Sequence, residues 1–214
     1  MKAFFQFVLQ SISAFSAMVI TWLITFIGFE LTFLLSNLIA LAGGAIVFLT
    51  VKGIADYRFV RQNGLTRREY RYIEKNLKEA KEKISRLQRS LMSVRSIDQA
   101  KHNLELIRTV RKIYSNTKKE PKRFYKAEGF YYDRLDSLVE LTEKFAYLSS
   151  QPAKSKEISD SLRDTRTTIQ SLGESVKKDL YIMLDDDVDT LNFELDVAKN
   201  SMERMKKKDR RILK

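Results

Sequence analysis

The chain has no cysteine in 214 residues, which removes disulfides, thiolate metal ligands and any cysteine nucleophile. It has one histidine, His102, so a metal site built from several imidazoles is excluded as well. Proline occurs only at Pro121 and Pro152, and beyond residue 64 the only glycines are Gly129 and Gly173. A sheet needs frequent turns, and this stretch has too few turn residues to make them; helix is the expectation. Charge is missing from the first quarter, where Glu30 is the single charged residue between Lys2 and Lys52.

The uncharged sequence on either side of Glu30 comes in two runs, residues 3–29 and 31–51. Each matches the about 20 residues that a helix needs to cross a hydrocarbon core. We expect spans at about 3–28 and 31–51, joined by a turn at Gly28, Phe29 and Glu30. A cleaved signal peptide has a shorter apolar core and no second apolar run directly after it. Phenylalanines and Trp22 fall on every side of these helices, so a buried hairpin in a water-soluble protein is disfavoured. Lys2 precedes the first run, and Lys52, Arg58, Arg61, Arg67 and Arg68 follow the second, placing both ends of the hairpin in the cytoplasm. Glu30 then marks the outer turn. Gly43 and Gly44, with Ala40, Ala42 and Ala45, form a small-residue surface suited to close approach of the two helices or to dimerisation.

The formal charge of +12 is segregated. Residues 65–126 hold 19 basic against 7 acidic side chains, residues 127–200 hold 9 against 16, and residues 201–214 hold 7 against 2. Basic sequence beside a membrane attracts anionic lipid head groups. Nucleic acid is the other usual partner of such charge, but no recognition motif for it is present.

The organisation expected after the hairpin is a linker at 53–64, a helical domain at 65–200 and a basic tail at 201–214. The second apolar helix should continue through residues 51–63 and stop at Gly64. Thr66–Glu69 is a capping box, and the helix it opens has apolar or small residues at 70, 73, 77, 80, 84, 87, 91 and 94, a heptad seam. A second box at Ser96–Gln99 opens a helix with Ile97, Ala100, Leu104, Ile107, Val110 and Tyr114 inward, ending near Ser115 and Asn116. Thr117–Glu120 caps a third helix, with Pro121 in its first turn and a stripe of Phe124, Tyr131, Leu135, Leu138, Leu141, Phe145 and Leu148. A fourth helix, about 153–200, has one seam from Ile158 to Leu180 and another at Val188, Leu191, Leu195, Ala198 and Met202. The four-residue steps 180–184–188 and Gly173 predict a bend near Gly173 or Asp185, and the tail from Arg204 should fray. The fold class is therefore all-α: a two-helix transmembrane hairpin and a cytosolic antiparallel bundle with coiled-coil-like seams.

Four strings carry a resemblance: LTRREYRYI at 65–73, KKEPKRFY at 118–125, LDSLVELTEKFAYLSSQP at 135–152 and LDDDVDTLNFELDVAK at 184–199. Together with the hairpin they resemble the XpaC family of Bacillus-type bacteria, whose label is 5-bromo-4-chloroindolyl phosphate hydrolysis. The resemblance covers essentially the whole chain. It implies a membrane protein associated with hydrolysis of a chromogenic phosphate ester, and a helical partner of the toxic-anion (tellurite) resistance type. No catalytic motif comes with it.

The residues match no phosphatase chemistry. Cysteine- and histidine-based mechanisms lack their nucleophiles, and the lone His102 reads as a surface or interface residue. In Asp187-Val188-Asp189-Thr190 the threonine comes one place too early for an aspartyl-phosphate motif. Asp185, Asp187 and Asp189 are metal candidates, and with Asp196 they match positions 1, 3, 5 and 12 of a Ca²⁺ loop. Position 6 is Thr190 where that loop needs glycine, so a salt-bridged helix face is preferred and no cofactor is expected. Lys118, Lys119, Lys122 and Arg123 are anion- or lipid-binding candidates at a helix start, and the acidic last helix is an equal claimant for them. A membrane-anchored helical scaffold acting through a partner is the leading expectation. A direct metal-dependent phosphatase on the carboxylates of residues 185–189 is the alternative. A transporter is disfavoured, because two spans without mid-membrane polar pairs form no pathway unless they oligomerise.

Overall fold

Two runs of apolar residues fold back on one another at the N-terminus. The computed structural model describes residues 2–28, 33–94, 97–152 and 155–212, with side chains at 11–27, 33, 35–94, 100–152 and 155–205. Helix α1 is Lys2–Leu23, extended by a wider π-turn at Ile24–Gly28, and α2 is Phe33–Gln62. Of the expected turn, Phe29 and Glu30 lie outside the described residues. Trp22 stacks on Phe26 at 5.1 Å, and both meet Phe33 edge-on at 6.5 and 6.4 Å. Further along, Gly44 faces Met18 and Ala14, so the helices are antiparallel. A Cβ on Gly43 would sit 3.2 Å from Thr21 Oγ1, and one on Gly44 would sit 3.3 Å from Met18 Cβ. Gly43, Gly44 and Ala40 of the small-residue surface are thus used inside the hairpin, whereas Ala42 and Ala45 are exposed. Among the described residues, Leu35–Gln62 of α2 is long and apolar enough to cross a membrane, while the apolar run Ser11–Ile27 is shorter.

The end of α2 follows from its last residues. The amide of Leu65 donates to the Val60 carbonyl at 3.2 Å and that of Gly64 to Arg61 at 3.0 Å. This is a Schellman stop, and Gly64 takes the left-handed φ of +65° that it requires. The chain divides into two compact units, Met1–Arg67 and Arg68–Lys214.

The second unit is a four-helix bundle of α3 (Arg67–Ser93), α4 (Ile97–Lys119), α5 (Leu135–Ser149) and α6 (Lys156–Ile212). Its ion pairs give the directions. Lys83 pairs with Asp136 and Arg86 with Glu143, so α3 and α5 advance together. Gln88 meets Arg111 and the Leu91 carbonyl meets Asn103, so α4 runs against α3. Arg123 meets Asp187 and Arg134 meets Asp179, so α6 runs against the chain leading into α5. The α3 seam is buried at Ile73, Ala80, Ile84, Leu87 and Leu91, as the heptads predict. Ser155 Oγ accepts the Ile158 amide at 3.2 Å and so caps α6.

Several expectations are corrected. Helix α4 does not stop near Asn116 but runs to Lys119. Thr117 is buried within it and donates to the Ile113 carbonyl, so it is not free to cap a following helix. The inward stripe of α4 is Leu106, Ile107, Val110 and Ile113, whereas Leu104 is exposed. The third helix opens instead as a 3-10 segment, Pro121–Ala127, and passes through a π-turn, Phe130–Arg134, before α5. Helix α6 is continuous for 57 residues, with no break at Gly173 or Asp185 and with helical backbone into the expected frayed tail as far as Ile212. Its second seam is not buried: Met183 is the last buried residue among those described, and every described side chain from Asp185 to Met205 is exposed. The four-residue steps near Leu184 therefore mark the place where α6 leaves the bundle.

Candidate functional site

The basic string and the acidic string of the sequence meet where α6 leaves the bundle. Pro121 cannot continue α4, because it has no amide hydrogen to donate, and the chain tightens into the 3-10 segment. That segment buries Phe124 completely and turns Arg123 toward α6. Phe124 stacks on Tyr131 at 4.7 Å and takes Tyr72, Tyr125 and Tyr132 on its edges at about 6 Å. The Tyr72 and Tyr132 hydroxyls are in hydrogen-bond contact.

Arg123 is fully engaged. Its Nε donates to Glu120 at 2.7 Å, Nη1 and Nη2 each donate to an Asp187 oxygen at 2.8 Å, and Nη1 also reaches the Met183 carbonyl at 3.1 Å. Hydrogen bonds donated to Asp187 and then to Glu120 push the guanidinium pKa above its ordinary value, while the same Arg123 bonds hold Asp187 below the usual carboxylate range. Lys126 lies 2.6 Å from Asp186 and lowers it in the same way. Lys118, Lys119 and Lys122 are exposed and make no ion pair among the described residues. Of the four anion candidates, then, the structure commits Arg123 to protein carboxylates and leaves three lysines at the surface.

The three metal candidates are not brought together. Asp185, Asp187 and Asp189 are two residues apart on an unbroken helix, so successive carboxylates point about 200° apart. Asp187 is held by Arg123 as well. Among the described residues, no group of three or more His, Asp or Glu side chains is placed to hold a metal ion. His102 lies on an open cleft of about 440 Å³ between α4 and α6. There Lys177 bridges Glu105 at 2.8 Å and Glu174 at 3.2 Å. Hydrogen bonding to Lys177 lowers the Glu105 pKa, and the same bonds raise that of Lys177.

One buried ion pair has no signal in the sequence. Arg134 Nη1 donates to both oxygens of Asp179 at 3.0 Å, and the Asp179 side chain is only 8% exposed. Burial raises the Asp179 pKa, against the opposing pull of Arg134. The π-turn at Phe130–Arg134 aims the arginine there, and Gly129 makes room for it. The Tyr131 hydroxyl is also buried, and burial pushes its pKa up.

Comparison with known proteins covers nearly the whole chain. The family model described as 5-bromo-4-chloroindolyl phosphate hydrolysis protein matches residues 8–198. Protein XpaC of Bacillus subtilis (strain 168) is 46% identical over 204 residues, which is 95% of this chain and the full length of that protein. No solved structure matches.

Proposed function

This chain belongs to the family of 5-bromo-4-chloroindolyl phosphate hydrolysis proteins, and from that premise we propose that it is a membrane-anchored helical scaffold acting on phosphate-ester hydrolysis through a partner. The observation that carries the reading is the inverted hairpin. Its inner face is small and polar: Ser36, Ala40 and Thr25 are buried, and the glycine pair faces α1. Its outer face is large and apolar: Phe15, Leu38, Leu41 and Leu49 are each more than 60% exposed. Water would strip such a surface into aggregates, whereas hydrocarbon solvates it, and small residues are what let membrane helices approach. Thr21 and Thr25 donate to carbonyls in their own helix, which spares their hydroxyls an unmet donor in lipid.

In this reading both α1 and α2 cross the bilayer, and the positive residues around Lys2 and from Lys52 to Arg68 hold both ends in the cytoplasm. The exposed Lys118, Lys119 and Lys122 meet anionic head groups or a helical partner, of the toxic-anion resistance type in the family reading. Indirect action is supported by the ion pairing of the second unit. Among its described residues, the one buried carboxylate, Asp179, and the most fully hydrogen-bonded arginine, Arg123, are both consumed in tying elements together.

The test is an assay of the full chain, purified in detergent, on 5-bromo-4-chloroindolyl phosphate with Mg²⁺ or Mn²⁺. We expect no turnover above the blank. Turnover lost in Asp185→Asn combined with Asp189→Asn would establish a direct phosphatase and sink the indirect one.

A further inference from the structure

We infer that the exposed half of α6 is a self-complementary seam that pairs, antiparallel, with the same segment of a second copy of this chain. The seam consists of Val188, Leu191, Leu195, Ala198, Met202 and Met205. Their spacing is 3, 4, 3, 4, 3, the heptad repeat that keeps one stripe against a partner helix. All six are exposed, and the five larger ones are 47–57% exposed. These residues span about 27 Å of helix at about 1.5 Å per residue. The helix is already formed by continuation from the bundle, so pairing does not have to meet the cost of nucleating it.

Charge selects the occupant and its direction. Residues 185–198 hold six acidic side chains and no basic one, and residues 199–212 hold seven basic and two acidic. Asp186 and Asp187 are paired with Lys126 and Arg123, and Asp185, Asp189, Glu194 and Asp196 make no ion pair among the described residues. A parallel pair of copies would lay acid on acid and base on base. Reversing one copy lays the acidic half of each against the basic half of the other. The seam itself reads the same under that reversal. Val188 falls opposite Met205, Leu191 opposite Met202 and Leu195 opposite Ala198, so all six positions are filled by a two-fold axis between Asp196 and Val197. Phe193, also exposed, lies on the opposite side of the helix and takes no part. The inference stands on the second unit alone and does not depend on whether the hairpin spans a membrane.

The absence of cysteine makes the test direct, since any introduced thiol is the only one. In the full chain in mild detergent we expect a protein mass of twice the 25.0 kDa protomer. The double variant Leu191→Glu with Leu195→Glu should halve that mass, and Phe193→Ser should leave it unchanged. Both sites are solvent-exposed, so the far-ultraviolet circular dichroism of every variant should match the parent. In oxidative crosslinking, a mixture of Val188→Cys and Met205→Cys protomers should form the mixed dimer, and Val188→Cys alone should not crosslink. A monomeric parent overturns the proposal. So does efficient crosslinking of Val188→Cys to itself, which would show a parallel pair. A parent that is monomeric but binds vesicles of anionic lipid through this segment also overturns it and gives the face to lipid.

Discussion

Replacing Gly129 by alanine should destabilise the protein even though alanine is the better helix former. Gly129 has ordinary helical backbone, with φ −60° and ψ −31°, so its lack of a side chain serves space and not conformation. A Cβ there would overlap Nη1 of Arg134 and lie 3.2 Å from its Cζ. A free arginine would move aside at little cost. This one is held by both oxygens of Asp179, which is buried. Alanine contributes about 1 kcal/mol of helix propensity over glycine. Displacing one partner of a fully buried ion pair costs about 3–5 kcal/mol; the Arg134 side chain is 34% exposed, which lowers the cost here to about 2–3 kcal/mol. The balance is a loss of about 1–2 kcal/mol, or about 2–8 °C in the unfolding midpoint of a unit this size. Thermal unfolding followed by circular dichroism at pH 7 measures it. The decisive comparison is Gly129→Ala placed on Arg134→Leu with Asp179→Leu, where both clash and buried charge are gone. There it should stabilise by about 1 kcal/mol. An equal loss in both backgrounds, or a gain in the parent, would refute the reasoning.

The pH dependence of the same pair has a definite sign. The folded pKa of Asp179 lies above its unfolded value of about 3.8, so its ionisation opposes folding once the pH has risen through the raised value. Arg134→Leu removes the group that restrains this rise, and its stability deficit at pH 7 should shrink as the pH is lowered toward about 5 in chemical denaturation. Asp186, Asp187, Glu105 and Glu143 behave oppositely: their folded pKa values are depressed, so their contribution is present above about pH 4 and is lost as the pH falls through the depressed values. These pairs are exposed, so 1 M salt should flatten that acid limb in the same titration. Arg123→Ala should speed amide exchange at residues 183–187 more than at the centre of the bundle, because Arg123 binds both the Met183 carbonyl and Asp187. Phe124→Ala should cost about 3–5 kcal/mol, since the ring is fully buried among four tyrosines; a loss below about 1 kcal/mol in denaturant unfolding would contradict that packing.

Much of this architecture was legible in the sequence, for identifiable reasons. Five of the eight α3 heptad positions are buried and Tyr70, Leu77 and Val94 are half-buried on the same face, because an unbroken 3–4 spacing admits one inward face. Gly64 stops α2, because only a residue at ease with positive φ closes a Schellman turn. The meeting of Arg123 with Asp187 followed from segregated charge as one of several options, and the geometry selects it. Where sequence and structure differ, tertiary packing overrides a local signal. Thr117 looks like a cap until its burial is known, and Gly173 looks like a weak point until Leu106 is found packed against it. The seam from Val188 to Met202 has the pattern of a core, and periodicity alone does not say whether the partner helix is in the same chain. Arg134 and Asp179 are 45 residues apart and are joined by a π-turn that no residue pattern announces.

The central claim is the anchored topology, and single-cysteine labelling of intact cells tests it most directly. The chain has no native thiol to interfere. With a membrane-impermeant maleimide, Glu30→Cys should be labelled from outside, and Ser161→Cys should be labelled only after lysis. Labelling of Ser161→Cys in intact cells, or recovery of the full chain in the supernatant of a high-speed spin, would contradict the account.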